Sequence, residues 1–177
     1  MTSTSLPAAT AEIRRLIARI PRVELACLPT PLQEARRLTD ILGGPRIFIK
    51  RDDLTGVAFG GNKTRNLEFR LAAAKDAEAD LIVMELDQQS NSARQTAGCC
   101  NRLGMDTILV LQGSRPDTIQ GNLLVNHLLG ADVRFAKTRA DQARVSSEAV
   151  EQARSRDCDL ILSGATHSSR FAGNFDV

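Results

Sequence analysis

The chain of 177 residues has no tryptophan and no tyrosine, and only six phenylalanines. A platform that stacks unpaired bases needs exposed aromatic rings, so the composition argues against that class. Charge of one sign is also missing, because 23 Lys and Arg stand against 21 Asp and Glu. A formal net charge of +2 gives no electrostatic footprint for nucleic acid or an anionic membrane surface. There are two histidines, His127 and His167, and four cysteines, Cys27, Cys99, Cys100 and Cys158, none in C-x-x-C spacing. That is a poor supply of zinc ligands, and the neighbours Cys99 and Cys100 could pair only with strain. Reduced thiols and a cytoplasmic location are expected. No apolar run approaches the roughly 20 residues that span a bilayer, and the N-terminus lacks the apolar centre of a secretory signal. A short surface helix from about Glu12 is expected there.

What is present is a rhythm. Five short runs rich in Ile, Val and Leu recur at 46–50, 81–85, 107–111, 132–136 and 159–163. Each is apolar almost throughout, the pattern of strands covered on both faces. Helical segments lie between them. Residues 91–104 end at Gly104 and residues 117–130 at Gly130, both natural helix stops, with Asp117 expected as an N-cap. Residues 138–157 read as a polar helix with an Ala/Val stripe lying on a sheet. A proline-punctuated lead-in at 21–45 carries one helix near 31–42. Strand and helix in alternation predict βαβ units with right-handed crossovers and a parallel sheet: an α/β fold.

One stretch does not fit a purely structural reading: "GGNKTRN" at 60–66. A lysine gains nothing at a helix N-terminus, which already carries partial positive charge. Gly60 and Gly61 permit torsions closed to other residues, and are expected to let the chain approach a ligand. Gly56 and Gly61 have the glycine spacing of a P-loop, but Asn62 stands between Gly61 and Lys63, and an inserted residue disturbs that cradle. The chemistry that wants such a lysine is imine formation, where desolvation and the helix start favour the uncharged nucleophile. Pyridoxal 5'-phosphate, an aldehyde, fits. A second stretch, "QQSNSARQTAG" at 88–98, follows an apolar run at the end where open α/β sheets collect ligands. Gln89, Ser90, Asn91 and Ser92 could hold a substrate carboxylate there. The plainer reading of the same turn makes Ser90 an ordinary helix N-cap.

"LPTPLQEARRL", "IFIKRDDLTGVAFGGNKTRNLEF", "QSNSARQTAG" and "GNLLVNHLLGADV" together resemble the pyridoxal-phosphate enzymes that include 1-aminocyclopropane-1-carboxylate deaminase, D-cysteine desulfhydrase and L-cysteate sulfo-lyase. The terminal "GATHSSRFAGNF" is similar more loosely. The resemblance implies a fold type II enzyme, a three-layer αβα arrangement like the tryptophan synthase β chain. It implies that Lys63 bonds the cofactor and that Ser90 is the nucleophile or proton-transfer group. By the same resemblance Asn62 and Asn91 are cofactor contacts, Asn91 at the 3-oxygen, and Ser90, Asn91 and Ser92 grip the substrate carboxylate. The substrate would be a small amino acid, and no metal, nucleic acid or membrane would take part.

Family members run to roughly twice this length. The resemblance therefore assigns residues 1–62 to the start of a larger cofactor domain and 63–165 to a smaller α/β domain. It assigns 166–177 to the return toward the larger one. A complementary chain or a homo-oligomer is expected to supply the rest. Asn66 stands where the family commonly has a second lysine near the cofactor phosphate. Glu85 and Asp87 replace small residues before the Ser-Asn pair, and Ser92 replaces a larger one. Three readings follow: a completed lyase or deaminase, a non-catalytic remnant, and a binding subunit of a full-length relative.

Overall fold

In the computed structural model, which describes residues 6–155 and 161–165, the chain opens on a helix, α1 (Leu6–Ile17), that begins ahead of the expected Glu12. The lead-in then forms a small antiparallel pair, β1 (Leu32–Glu34) with β2 (Phe48–Lys50), around a helix, α2 (Arg36–Leu42). Here the sequence reading needs correction. The apolar run 46–50 does not join the main sheet, and its Phe48 and Ile49 are 46% and 48% exposed. A run of three apolar residues has the same pattern whether its faces are covered or bare, so pattern alone could not separate the cases. The helix expected near 31–42 is also shorter, because its first residues are β1.

The other four runs form one parallel sheet. Its strands are β3 (Leu81–Asp87), β4 (Asp106–Gln112), β5 (Asp132–Ala136) and β6 (Ile161–Ala165), in the order β5-β4-β3-β6. Register runs Leu81 to Asp106, Leu81 to Ile161 and Ile108 to Asp132. Successive side chains on a strand point to opposite faces. Leu81, Val83, Ile108 and Val110 pack with Ala149 of α6 (Arg139–Arg154) on one side. Ile82, Met84, Leu109 and Leu111 pack on the other against α3 (Lys63–Asp76) and α4 (Asn91–Leu103), with Leu123 of α5 (Gly121–Leu128). The result is the expected three-layer αβα arrangement with a parallel sheet.

Local chemistry sets the boundaries. α4 stops at Gly104, which takes the left-handed conformation at φ +75°. α6 starts with a reciprocal capping box between Thr138 and Asp141. Asp117 does not cap α5, which begins four residues later with Gln120 at the cap position and no side-chain cap bond. Gly121 takes φ +60° there, and a Cβ on it would lie 2.5 Å from Gln89 Oε1. The chain turns at Gly121 to meet Gln89, and the helix starts from that turn.

Three polar side chains, Glu68 and Gln142 buried and Arg102 exposed, lock the layers. Glu68 of α3, 1% exposed, accepts the backbone N–H groups of Leu25 and Ala26 at 2.9 and 2.8 Å and the Arg22 guanidinium. Arg102 of α4 donates to the Leu25 carbonyl at 2.9 Å. Gln142 of α6 donates to the carbonyls of Leu86 and Val110, tying α6 to the carboxyl ends of β3 and β4. Cys99 and Cys100 are core residues, and burial pushes their thiols up to about 12 and about 11. Both stay protonated near neutral pH. No helix among the described residues is long and apolar enough to cross a membrane.

Candidate active site

Lys63 is the first residue of α3. The residue before it, Asn62, has helical torsions and makes no side-chain cap bond. The cap comes from another helix. Gln95 of α4, fully buried, accepts from both the backbone N–H and the hydroxyl of Thr64 at 3.0 Å through Oε1. Its Nε2 donates to the Asn91 carbonyl at 3.1 Å. One amide thus joins the start of α3 to the start of α4.

The glycines serve this closure rather than a ligand, which corrects the expectation from sequence. A Cβ on Gly61 would lie 2.4 Å from the Gln95 amide nitrogen, and one on Gly60 would lie 2.0 Å from the Asp53 carbonyl oxygen. Neither contact can be relieved by a simple rotation, since one partner is backbone and the other is locked by two helices. Around them the loop is strained: Ala58 and Phe59 hold φ of +46° and +64° without being glycine. Thr55 pins it, accepting the Gly61 N–H at 2.9 Å and donating to the Gly61 carbonyl at 3.0 Å.

The motif "IKRDDLTG" and the "NKTR" that follows also meet through side chains. Arg65 of α3 binds both oxygens of Asp52 at 2.8 Å, and Thr30 donates to Asp52 Oδ1 at 2.9 Å. The Arg65 guanidinium holds the Asp52 carboxyl below the usual range, with Thr30 assisting. Much of what makes this motif specific is scaffold that sets where Lys63 begins.

Across from Lys63, Ser90 is the N-cap of α4. Its Oγ accepts the N–H groups of Ser92 and Ala93 at 3.2 and 3.3 Å. Asn91 Oδ1 accepts from Asn122 Nδ2 at 2.9 Å and from Arg94 Nη2 at 3.3 Å. Arg94 is buried, and burial lowers its pKa.

These residues share one open cleft of about 590 Å³, lined by Asn62, Lys63, Asn66, Arg70, Leu86, Asp87, Ser90, Asn91 and Ser92. Asn62, Lys63, Ser90, Asn91 and Ser92 therefore face a common space, whereas Gln89, the other residue read from the sequence as a carboxylate contact, does not line it and bonds Asn122 and Gln120 instead. Lys63, Asn62 and Asn91 are exposed, while Ser90 and Ser92 are half-buried. The desolvation expected around Lys63 is not supplied by the described residues. Asp87 lines the cleft and Glu85 does not, so only one of the two acidic replacements bears on it. Arg70, Gln95 and Asn122 are the contributors that sequence reasoning passed over. Arg70 could have been found, since it follows Lys63 by two helical turns on the same face. Gln95 and Asn122 could not, because no spacing in the chain links them to residues 64 and 91. The terminal segment from residue 166, with its "THSSRFAGNF", lies outside the described residues.

Comparison with known proteins bears directly on this cleft. The family model described as pyridoxal-phosphate dependent enzyme matches residues 23–175. The chain belongs to the pyridoxal-phosphate dependent enzyme family. Among curated relatives of this family member, a D-cysteine desulfhydrase of Klebsiella pneumoniae is 41% identical over 132 residues, covering 72% of this chain and 40% of the relative. A Pyrococcus horikoshii protein, provisionally named a 1-aminocyclopropane-1-carboxylate deaminase, is 36% identical over 143 residues, covering 80% and 43%. A crystal structure of an ACC deaminase homologue superposes with a TM-score of 0.76 at 32% identity, covering 87% of this chain and 47% of that one. The chain thus spans less than half the length of the relatives it matches.

The residues present fit one end of the family's cofactor. Lys63 brings an amine, Ser90 a hydroxyl, and Asn91 an amide whose oxygen is already occupied, so that an N–H donor is left for an acceptor. The volume suits a small ligand. For the phosphate end, Arg70 is the cationic group beside Lys63, and no glycine-rich turn lines the cleft among the described residues.

Proposed function

We propose that this chain carries the lysine half of a pyridoxal-phosphate-dependent lyase or deaminase acting on a small amino acid, D-cysteine or 1-aminocyclopropane-1-carboxylate being the model substrates. The observation that carries the reading is the meeting of Lys63, Ser90 and Asn91 in one cleft at the carboxyl end of β3. Pyridoxal phosphate, when bound, supplies an electron sink for the bond to be broken. Lys63 holds the cofactor through its amine, with Asn62 beside it. Asn91 donates an N–H to the 3-oxygen.

Ser90 moves the proton. Two backbone N–H groups already point at its Oγ, so negative charge developing on that oxygen is stabilised as it forms. The hydroxyl proton is left to donate, and the same atom can accept one back. The helix start behind Ser90, Asn91 and Ser92 favours the substrate carboxylate.

Lys63 is exposed, and a usable amine needs water excluded around it. In this reading the exclusion comes from a complementary chain or a second copy, and the location is the cytoplasm. Residues 1–62 then belong with that partner as part of a larger domain, and 63–165 form the smaller one.

The test is borohydride reduction of the purified chain with pyridoxal phosphate, followed by peptide mass spectrometry. A cofactor adduct at Lys63, lost in Lys63→Ala, is expected. Failure to find any adduct, with or without the chain's genomic neighbours co-expressed, would sink the reading. A binding-subunit reading is favoured by one observation, the exposed Leu32, Ile41, Phe48 and Ile49 of the lead-in. It requires a stable complex with a full-length relative in which Lys63 remains unmodified.

A further inference from the structure

We infer that Asn122, at the start of α5, is a positioning residue that fixes the amide of Asn91 so that it offers the cleft a donor and not an acceptor. The inference rests on the cofactor reading above for what the donor meets, but the orientation itself follows from hydrogen bonds within the chain.

The oxygen and nitrogen of an asparagine amide are told apart by their partners. Asn122 Nδ2 lies 2.8 Å from the Gln89 carbonyl oxygen, which can only accept. That atom is therefore the nitrogen. Its second proton goes to Asn91 at 2.9 Å, so the atom of Asn91 it meets must be the oxygen. Arg94 approaches the same Oδ1 at 3.3 Å, and a guanidinium has no acceptor to offer. Two obligate donors thus hold Oδ1. Among the described residues no acceptor is recorded for Asn91 Nδ2, and Asn91 lines the cleft.

Asn122 is itself held in place. Gln89 Oε1 accepts the Asn122 backbone N–H at 2.8 Å, and Gln89 Nε2 donates to the Gln120 carbonyl at 3.2 Å. Gly121, where a Cβ would strike Gln89 Oε1, lets the two elements come this close. The polarity runs from the Gln120 carbonyl through Gln89 and Asn122 to Asn91. An N–H held in this way suits an electron-rich oxygen, such as the ring 3-oxygen of a pyridoxal compound. It disfavours a ligand that presents a donor at that point.

Two measurements on the full chain test this. The first is calorimetric titration with pyridoxine 5'-phosphate, which has the 3-oxygen but no aldehyde, and with its 3-deoxy analogue. Asn122→Ala should weaken the former about tenfold, the scale of one charge-assisted hydrogen bond losing its alignment, and leave the latter unchanged. Equal losses for both ligands, or no loss for either, would overturn the inference. The second is side-chain amide exchange by NMR without ligand. The Asn122 amide protons should exchange about tenfold more slowly than those of Asn91. A protected Asn91 amide would mean the opposite orientation and end the proposal. If the unmodified chain binds neither ligand, with or without its genomic neighbours co-expressed, the cofactor reading fails, and the exchange measurement still decides the orientation.

Discussion

The two helices that open onto the cleft begin in different ways. α4 is capped from within, by Ser90 folding its hydroxyl back onto the N–H groups of Ser92 and Ala93. α3 is capped from outside, by Gln95 of α4, while Asn62 at its own cap position makes no such bond. A helix that caps itself ties up its cap side chain. A helix capped by a neighbour keeps the residues at its mouth available. Among the described residues the side chains of Asn62 and Lys63 cap neither helix, whereas Ser90 carries a structural task along with its proposed chemical one.

That contrast can be broken most forcefully at Gln95. Gln95→Leu should cost about 2–4 kcal/mol, because it strands the buried Thr64 N–H and hydroxyl together. Chemical denaturation should show the loss, and amide exchange should show both helix starts fraying; fraying confined to α4 would mean that α3 does not depend on Gln95. Gly61→Ala comes next, at about 1–3 kcal/mol, since its φ of +136° and its distance to the Gln95 amide oppose any Cβ. Rescue by Gln95→Ala in the double variant, read as non-additive unfolding free energies, would identify the clash as the cause.

Ser90→Ala should cost about 1 kcal/mol, the ordinary value of a lost N-cap. Exchange should rise at Ser92 and Ala93 and nowhere in α3. Thr138→Ala, which removes the cap of α6 away from the cleft, is the matched control for stability without chemistry.

The smallest effect is a pH dependence. The Asp52 carboxyl is held low by Arg65, so its contribution to stability is complete above the unfolded value near 4 and is lost as pH falls through the lower folded value. Urea midpoints between about pH 6 and about pH 2 should decline less in Arg65→Gln than in the unaltered chain. An identical decline in both would remove the Asp52–Arg65 pair from the account of how Lys63 is placed.

The main sheet was legible because its strands β3 and β4 are covered on both faces, and such strands are apolar almost throughout. Gly104 was legible for a similar reason: its role depends on its own torsion. The same logic failed at Phe48 and Ile49, where burial would have required a neighbour that no local pattern reveals. Asp117 misled because a good cap residue was judged without the Gly121–Gln89 contact that delays the helix. At the site, Lys63, Ser90 and Asn91 stood out by residue type and position. The residues that orient them, Gln95 and Asn122, act across 31 positions each, to Thr64 and Asn91. Pairings of that range are decided by tertiary packing. The glycines were noticed, and their purpose was misread, because an empty Cβ position looks the same whether a ligand or the chain itself occupies the space.

Gln142 gives the sheet's far side a say in the near side. Its amide grips the carbonyls of Leu86 and Val110, and Leu86 also lines the cleft. Changes on the outer helix that shift this side chain would be transmitted through the strand ends to the pocket wall. A lineage could thus retune the site by altering residues that never face a ligand, and a search for specificity determinants confined to the pocket lining would overlook them.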